Sequence, residues 1–495
     1  MREKILRQKT HRPFVLASVM LGMFLAAIEG TIVATAMPSI VADLGGFSLY
    51  SWVFSSYILT NASTVLIFGK LADIYGRKPI FIGGTCIFLI GSTLSGFSTS
   101  MEMLIAARFI QGVGAGALMP MATTIVGDIY NKTERAKIQG YLSSVWGISA
   151  VSGPLLGGLF VDILNWRYVF WMNIPLGILA MLGIVLFLHE KVEKKGQTIN
   201  YKGTTLLFIA VSSLMILLTE SGNKEILQSP VTLGLLSILI ISLTLFYIHE
   251  KRVDTPVMPF ELWRKRLIFI ANITSLTTGM IIIGVSSYLP AFVQGVMGET
   301  ATIAGFTLTM MSIGWPIAST IAGRLLLKIG YRKTSLLGGI ALLTGSLFFY
   351  FLTPERGPIW AGTGSLFIGI GMGLTSTSFI VAIQSNVKWE IRGIATASNM
   401  FMRSLGSAIG VALLGGILNK QIQQHINQIE GNDHVSLDSI NILLDPVERE
   451  KLSNSVETIL QEGLTIGLHT VYTGLFVLAL LSFIFILFMP RYKNK

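Results

Sequence analysis

The sequence predicts an all-α protein that crosses a membrane about fourteen times. Three observations lead there. The 495 residues are 52% hydrophobic and only 13% charged, against roughly 25% charged in a soluble domain. Such a chain cannot cover its outside with charge, so lipid must surround it. Apolar runs near the ~20 residues of a spanning helix follow one another along most of the length. Lysine and arginine gather in alternate gaps between those runs, as the positive-inside rule requires.

The runs fall near 14–37, 50–69, 79–98, 102–126, 138–161 and 166–188, then 202–219 and 231–249. The last six lie near 267–293, 302–326, 334–352, 359–384, 393–419 and 466–489. The first run exceeds the ~7–15 residues of a secretory signal core and is interrupted by Glu29, so it reads as a helix rather than a cleaved leader. With the N-terminus inside, the inner gaps hold Lys70, Arg77, Lys78, Arg135, Lys137, Lys194, Lys251, Arg264, Arg324, Arg332 and Arg392. The outer gaps hold few cations, such as Arg167, Arg356 and Lys420. Both termini are therefore expected in the cytoplasm, with the chain in the cytoplasmic membrane. Trp146 and Trp315 lie inside predicted helices and are expected to face protein. One long polar stretch, 420–465, falls outside. Within it Asp445-Pro446-Val447-Glu448 reads as a helix start with a capping box.

Composition also excludes function classes. A single cysteine, Cys86, leaves no disulfide framework or cysteine metal site. The net charge of +11 is spread over small groups between apolar runs, so no basic patch for nucleic acid forms. No histidine falls at mid-membrane. Gly112-x-Gly114-x-Gly116 is not a dinucleotide fingerprint, and no Walker A sequence is present. No metal, cofactor or enzymatic activity is expected.

Two segments repeat across half the chain. Residues 69–78 read GKLADIYGRK and residues 323–333 read GRLLLKIGYRK. Each follows an apolar helix, opens with glycine and a cation, and carries a second glycine seven positions on. Glycine pairs four apart recur in matching order, at Gly112/Gly116 and Gly153/Gly157, then at Gly369/Gly373 and Gly406/Gly410. A single such pair signals packing only. The shared order signals duplication, the usual build of secondary transporters. The predicted organisation is a six-helix bundle over 1–190, a two-helix insertion over 191–264, and a second six-helix bundle over 265–495.

These motifs resemble the major facilitator superfamily, specifically its fourteen-helix drug:proton antiporter branch. GKLADIYGRKPI at 69–80 is similar to the signature loop between helices two and three. RFIQGVGAGA at 108–117 and GISAVSGPLLGG at 147–158 resemble the helix-four and helix-five patterns. AAIEGTIVATAMP at 26–38, NWRYVFWMNIPLG at 165–177 and Arg403-Ser-Leu-Gly406 resemble patterns of the branch. The resemblance implies export of drug-like compounds in exchange for protons, by a monomer in a lipid bilayer. A narrow-specificity exporter would use the same machinery. This chain departs from the branch by carrying Glu29 where aspartate is usual, Leu327 where the first repeat has Asp73, and no acid inside the later helices.

Glu29 is the leading candidate for proton coupling, because charges at mid-helix are costly and usually functional. It lies about 12 Å inward from the predicted outer end, and Arg108 about 9 Å from the same side. Loss of water disfavours the charged carboxyl and a nearby guanidinium favours it, so a carboxyl poised between them is suited to carry a proton. Gln111 shares a helical face with Arg108. Gln111, Asn272, Gln384, Asn399 and Arg403 are the polar positions expected at a substrate cavity. Gly69, Asp73, Gly76, Arg77 and Lys78 read as a latch between the two bundles. Gly153, Pro154, Gly157 and Gly158 predict a bent helix packed tightly on the other bundle, and the resemblance associates them, with Gly147, with antiport.

Overall fold

The computed structural model describes residues 10–130, 132–190, 200–219, 230–253, 260–387, 392–428, 436–444, 446–449, 452 and 454–490. Thirteen continuous helices among them are long and apolar enough to cross a membrane. We number the spans α1 (Arg12–Leu44), α2 (Tyr50–Tyr75), α3 (Arg77–Gly96), α4 (Met101–Ile129), α5 (Lys132–Ile163) and α6 (Asn173–Phe187). Next come α7 (Tyr201–Thr219), α8 (Pro230–Glu250) and α9 (Arg266–Ala291). The following helix, Ala301–Tyr350, has 50 residues, or about 75 Å, more than twice the apolar thickness of a bilayer. Gly330 interrupts it with φ 74° and ψ 168°. It is therefore two spans, α10 (301–329) and α11 (331–350). The last are α12 (Gly357–Ser385), α13 (Arg392–Asn427) and α14 (Asn454–Leu487). Dividing the long helix at Gly330 gives the fourteen spans that the apolar runs predict.

The helices extend beyond the runs by several residues, because they project past the apolar layer. Prolines stand inside α1, α4, α5, α9 and α10, at Pro38, Pro120, Pro154, Pro290 and Pro316. Each removes one backbone donor, which neighbouring helices in a membrane bundle tolerate. After Pro290 the backbone passes through a π-helical turn at Phe292–Val296.

In the first six spans α1 packs on α4, α5 and α6, and α4 on α2 and α3. In the last six α9 packs on α13, α14 and α12. The two groups meet along α5 against α10–α11, α2 against α13, and α1 against α9. The extra pair is peripheral. Helix α7 covers the seam between α2 and α13, where Leu59, Leu207, Val211 and Leu405 line an apolar crevice. Helix α8 lies on α7 and turns Leu233, Leu236, Ile240 and Ile241 outward, as a lipid-facing helix must.

We call the end where α1 begins the basic end, and the opposite one the far end. Among the described residues, the hydrogen bonds joining the two groups of six lie toward the far end. Tyr50 donates to Ser287 O at 2.6 Å, Gln294 to Thr35 O at 3.1 Å, and Asn419 to Ser48 O at 2.9 Å. Part of the 420–465 stretch closes over them. Two short helices, Ile440–Leu444 and Pro446–Arg449, follow one another there, and the first buries Ile440, Leu443 and Leu444. Asn441 Oδ1 accepts from Phe47 N at 3.1 Å. Asp445, expected to cap the second of these helices, lies outside the described residues.

Candidate functional site

The first six spans enclose a polar cage in an apolar interior. Glu29 on α1 has no exposed surface, and Arg108 on α4 is 1% exposed. Arg108 Nη1 donates to Glu29 Oε1 and, at 2.8 Å, to Gln111 Oε1 one turn further along α4. Its Nε donates to Val53 O of α2 at 3.4 Å, and its Cζ lies 4.2 Å from the centre of the Tyr57 ring. The second carboxylate oxygen accepts from Asn173 Nδ2 of α6 at 2.9 Å. That amide also reaches Ser92 Oγ of α3 at 2.9 Å, and Ser92 donates to Phe170 O at 2.8 Å.

Five helices thus converge on one ion pair. Two opposite charges taken out of water cost several kcal/mol each unless their hydrogen-bonding capacity is also met, and the cage meets most of it. Close packing makes this possible. A Cβ at Gly91 would lie 2.4 Å from Gln111 N, so only glycine lets α3 approach α4 at this level. Some capacity stays open. Gln111 Nε2, Asn173 Oδ1 and the Tyr57 hydroxyl are buried without a hydrogen-bond partner among the described residues.

The residues expected at a substrate cavity divide. Gln111 is wholly buried in the cage and shows no surface to a cavity. Asn272 and Asn399 are also buried, and they join α9 to α13 instead. Asn399 Nδ2 donates to Asn272 Oδ1 at 3.1 Å, to Ser275 Oγ at 2.9 Å and to Ala271 O at 3.2 Å. Amides between two close helices find their partners across the contact, and the sequence did not indicate that proximity. Gln384 and Arg403 remain partly accessible; Gln384 donates to Thr396 Oγ1 at 3.2 Å. Trp146, expected against protein, is 51% exposed. It stands seven residues from Gly153 on the same face of α5, toward the basic end.

The glycines of α5 set the contact between the groups. A Cβ at Gly153 would lie 2.0 Å from Thr31 Oγ1, and one at Gly157 2.8 Å from Ile32 O, both on α1. On the other side a Cβ at Gly158 would meet Thr302 Cα at 2.5 Å, and one at Gly305 would meet Pro154 O at 2.3 Å. Gly147 has room, with Pro316 Cγ 3.9 Å from such a Cβ. Asp162 accepts from Thr302 N at 3.1 Å, capping α10 from α5.

At the basic end Gly76 turns the chain with φ 96°. Glu190 accepts from Arg77 N at 2.8 Å and Lys78 N at 2.9 Å. Lys78 Nζ donates to Val185 O and Leu188 O, each at 2.8 Å, closing the end of α6. Arg77 Nε meets Asp128 of α4 at 3.0 Å. Gly69 has open space around it, and the Asp73 side chain lies outside the described atoms.

The sequence indicated Glu29 and Arg108 but missed Asn173, Ser92 and Tyr57 as their partners. Asn173 carried a usable signal, since it is an amide in an otherwise apolar run. Ser92 and Tyr57 carried none.

Comparison with known proteins agrees with this architecture. Multidrug resistance protein 3 of Bacillus subtilis is 36% identical over 414 residues, covering 84% of this chain and 81% of that protein. Multidrug transporter protein MdtP of the same organism is 34% identical over 412 residues, covering 83% and 76%. Among solved structures, a bacterial homologue of the human lysosomal transporter Spinster, inward-facing and occupied, aligns with a TM-score of 0.70 at 15% identity over 96% of each chain. A point mutant of the nucleoside transporter NupG aligns with a TM-score of 0.65 at 12% identity, over 96% of this chain and 100% of that one. These two show the fold alone. Residues 19–411 match the family described as Major Facilitator Superfamily, and with two relatives above 30% identity the chain belongs to that transporter superfamily.

Proposed function

We propose that this transporter exports hydrophobic or cationic drug-like compounds across the cytoplasmic membrane in exchange for protons. The observation that carries the proposal is the enclosed Glu29–Arg108 pair. A carboxylate at mid-membrane is expensive and is rarely kept without a task. Here it is matched by one guanidinium and one amide, so a proton or a cationic cargo competes for the same negative charge.

Asn173 suits both protonation states. Its N–H donates to the carboxylate, and rotation of the amide turns Oδ1 toward a protonated Glu29 to accept from it. When Glu29 gains a proton, Arg108 keeps Gln111 Oε1, Val53 O and the Tyr57 ring as partners. The guanidinium is then never left bare. The relatives' names as multidrug transporters support the cargo class.

Transport then runs by alternating access between two six-helix bundles around a site between them. In this reading the basic end faces the cytoplasm, and the cross-bundle bonds of Tyr50, Gln294 and Asn419 mark a conformation closed on the outside. The exposed Trp146 fits an opening toward the cytoplasm. The Gly158 and Gly305 contacts form the pivot, because backbones this close can roll but leave no space for a side chain. Arg77 and Lys78 brace the cytoplasmic ends of α3, α4 and α6, so the first bundle moves as one body.

The test is dye movement in inside-out vesicles, with and without an imposed pH gradient. Accumulation that follows the gradient and saturates with dye is expected. Accumulation indifferent to the gradient would overturn proton exchange.

A further inference from the structure

The second group of six also holds an intramembrane cation, and its surroundings differ from those of Arg108. The Arg403 side chain on α13 makes no ion pair and no hydrogen bond among the described residues. Among the described residues its side chain meets an aromatic face, since Cζ lies 5.6 Å from the centre of the Trp315 ring on α10. Helices α10 and α13 do not pack side by side; α13 packs on α9 and α12, and α10 on α12. The arginine therefore reaches across its neighbours to the indole. Trp315 stands midway along 301–329, ~21 Å from either end. Lipid phosphates sit at the bilayer surfaces, ~15 Å or more from its centre, so a headgroup is too shallow to serve as the counterion.

An intramembrane guanidinium with no protein anion marks a ligand path. Its planar fork matches a carboxylate or sulfonate through two parallel hydrogen bonds. An adjacent indole offers a flat face to an aromatic ring. We propose that Arg403 and Trp315 form an anion subsite of the transport cavity, taking the carboxylate or sulfonate of aromatic compounds. The cargo would then include aromatic anions and zwitterions beside the cations matched to Glu29. This rests on the export reading above and adds a substrate class to it.

A matched pair of probes tests it: naphthalene-1-sulfonate and trimethyl(1-naphthyl)ammonium share one ring and differ in charge. Binding of each to the purified full-length protein is measured by equilibrium dialysis, and uptake of each in proteoliposomes under a pH gradient. Arg403→Ala is expected to weaken sulfonate binding by about tenfold, the size of a lost charge-assisted hydrogen bond. The same change should tighten ammonium binding, because a like charge has been removed. Arg403→Lys, which keeps the charge and loses the fork, should fall between, and Trp315→Ala should weaken both probes. A structural role would move both probes in the same direction in Arg403→Ala and Arg403→Lys, and that result overturns the subsite. So would a wild type that binds no sulfonate. If the ammonium still follows the pH gradient while sulfonate binding ignores Arg403, the subsite fails and export stands. Failure of the wild type to move either probe overturns export and the subsite together.

Discussion

At the turn between α2 and α3, Gly76 adopts φ 96°, and Lys78 two residues on closes the end of α6 through Val185 O and Leu188 O. At the turn between α10 and α11, Gly330 adopts φ 74°, and Arg332 two residues on donates to Leu487 O at the end of α14, at 2.9 Å. The two turns are built alike. The interiors behind them differ. The first six spans hold a carboxylate and a guanidinium in one cage, whereas the last six hold an amide pair, Asn272 and Asn399, and an Arg403 without an ion pair among the described residues. The two regions share the turn, because a left-handed backbone turn admits little besides glycine. They do not share the buried charges, which is where the two halves of a transporter can take different tasks.

The largest effect expected from this contrast is on transport. Glu29→Gln should reduce export driven by an imposed pH gradient to background and weaken binding of a cationic dye, because the carboxylate for which proton and cargo compete is gone. Retained gradient-driven export would move the coupling site out of the first half. Stability should separate the arginines next. Arg108→Ala leaves Glu29 buried without its cation, at a cost of about 3–5 kcal/mol. Arg403→Ala strands no carboxylate and should stay within about 1 kcal/mol. Thermal unfolding in detergent compares them, and equal losses would mean that Arg403 has a protein partner after all.

Smaller effects test the shared scaffold. Gly76→Ala and Gly330→Ala should each cost about 1–3 kcal/mol, because a side chain is forced into a glycine-only backbone region. Similar losses at the two positions support the repeat; a loss at one alone breaks it. Asn399→Ala should cost about 1–2 kcal/mol through the bonds it makes to α9, with gradient-driven export persisting. A complete loss of coupling in that variant would give the second half a share of the proton chemistry.

Much of this was legible in the residues themselves. Hydropathy and the lysine and arginine spacing gave the spans, since both follow from the cost of polar groups in lipid. The matching depths of Glu29 and Arg108 pointed to their contact before any coordinates, because helix rise is fixed. The cage around them was not legible. Asn173 and Ser92 come from helices whose rotation about their own axes depends on packing, and sequence does not encode that locally. The same cause explains Gln111, Asn272 and Asn399. Each was visible as a polar group inside a helix, but whether it turned toward a cavity or a neighbouring helix was settled by glycine-mediated approach, as at Gly91 and Gly279. The division of Ala301–Tyr350 at Gly330 was legible from the repeat, whereas the backbone hydrogen bonding alone runs the two helices together.

The most direct test of the central claim is proton release on cargo binding. A cationic dye is added to the purified protein in weakly buffered detergent solution held at a pH where wild type binds it. Wild type should release protons in proportion to dye bound, and Glu29→Gln, which has no carboxyl to ionise, should bind the dye more weakly and release none. Equal release from both proteins, or binding to wild type without any release, would show that cargo and proton do not compete for Glu29.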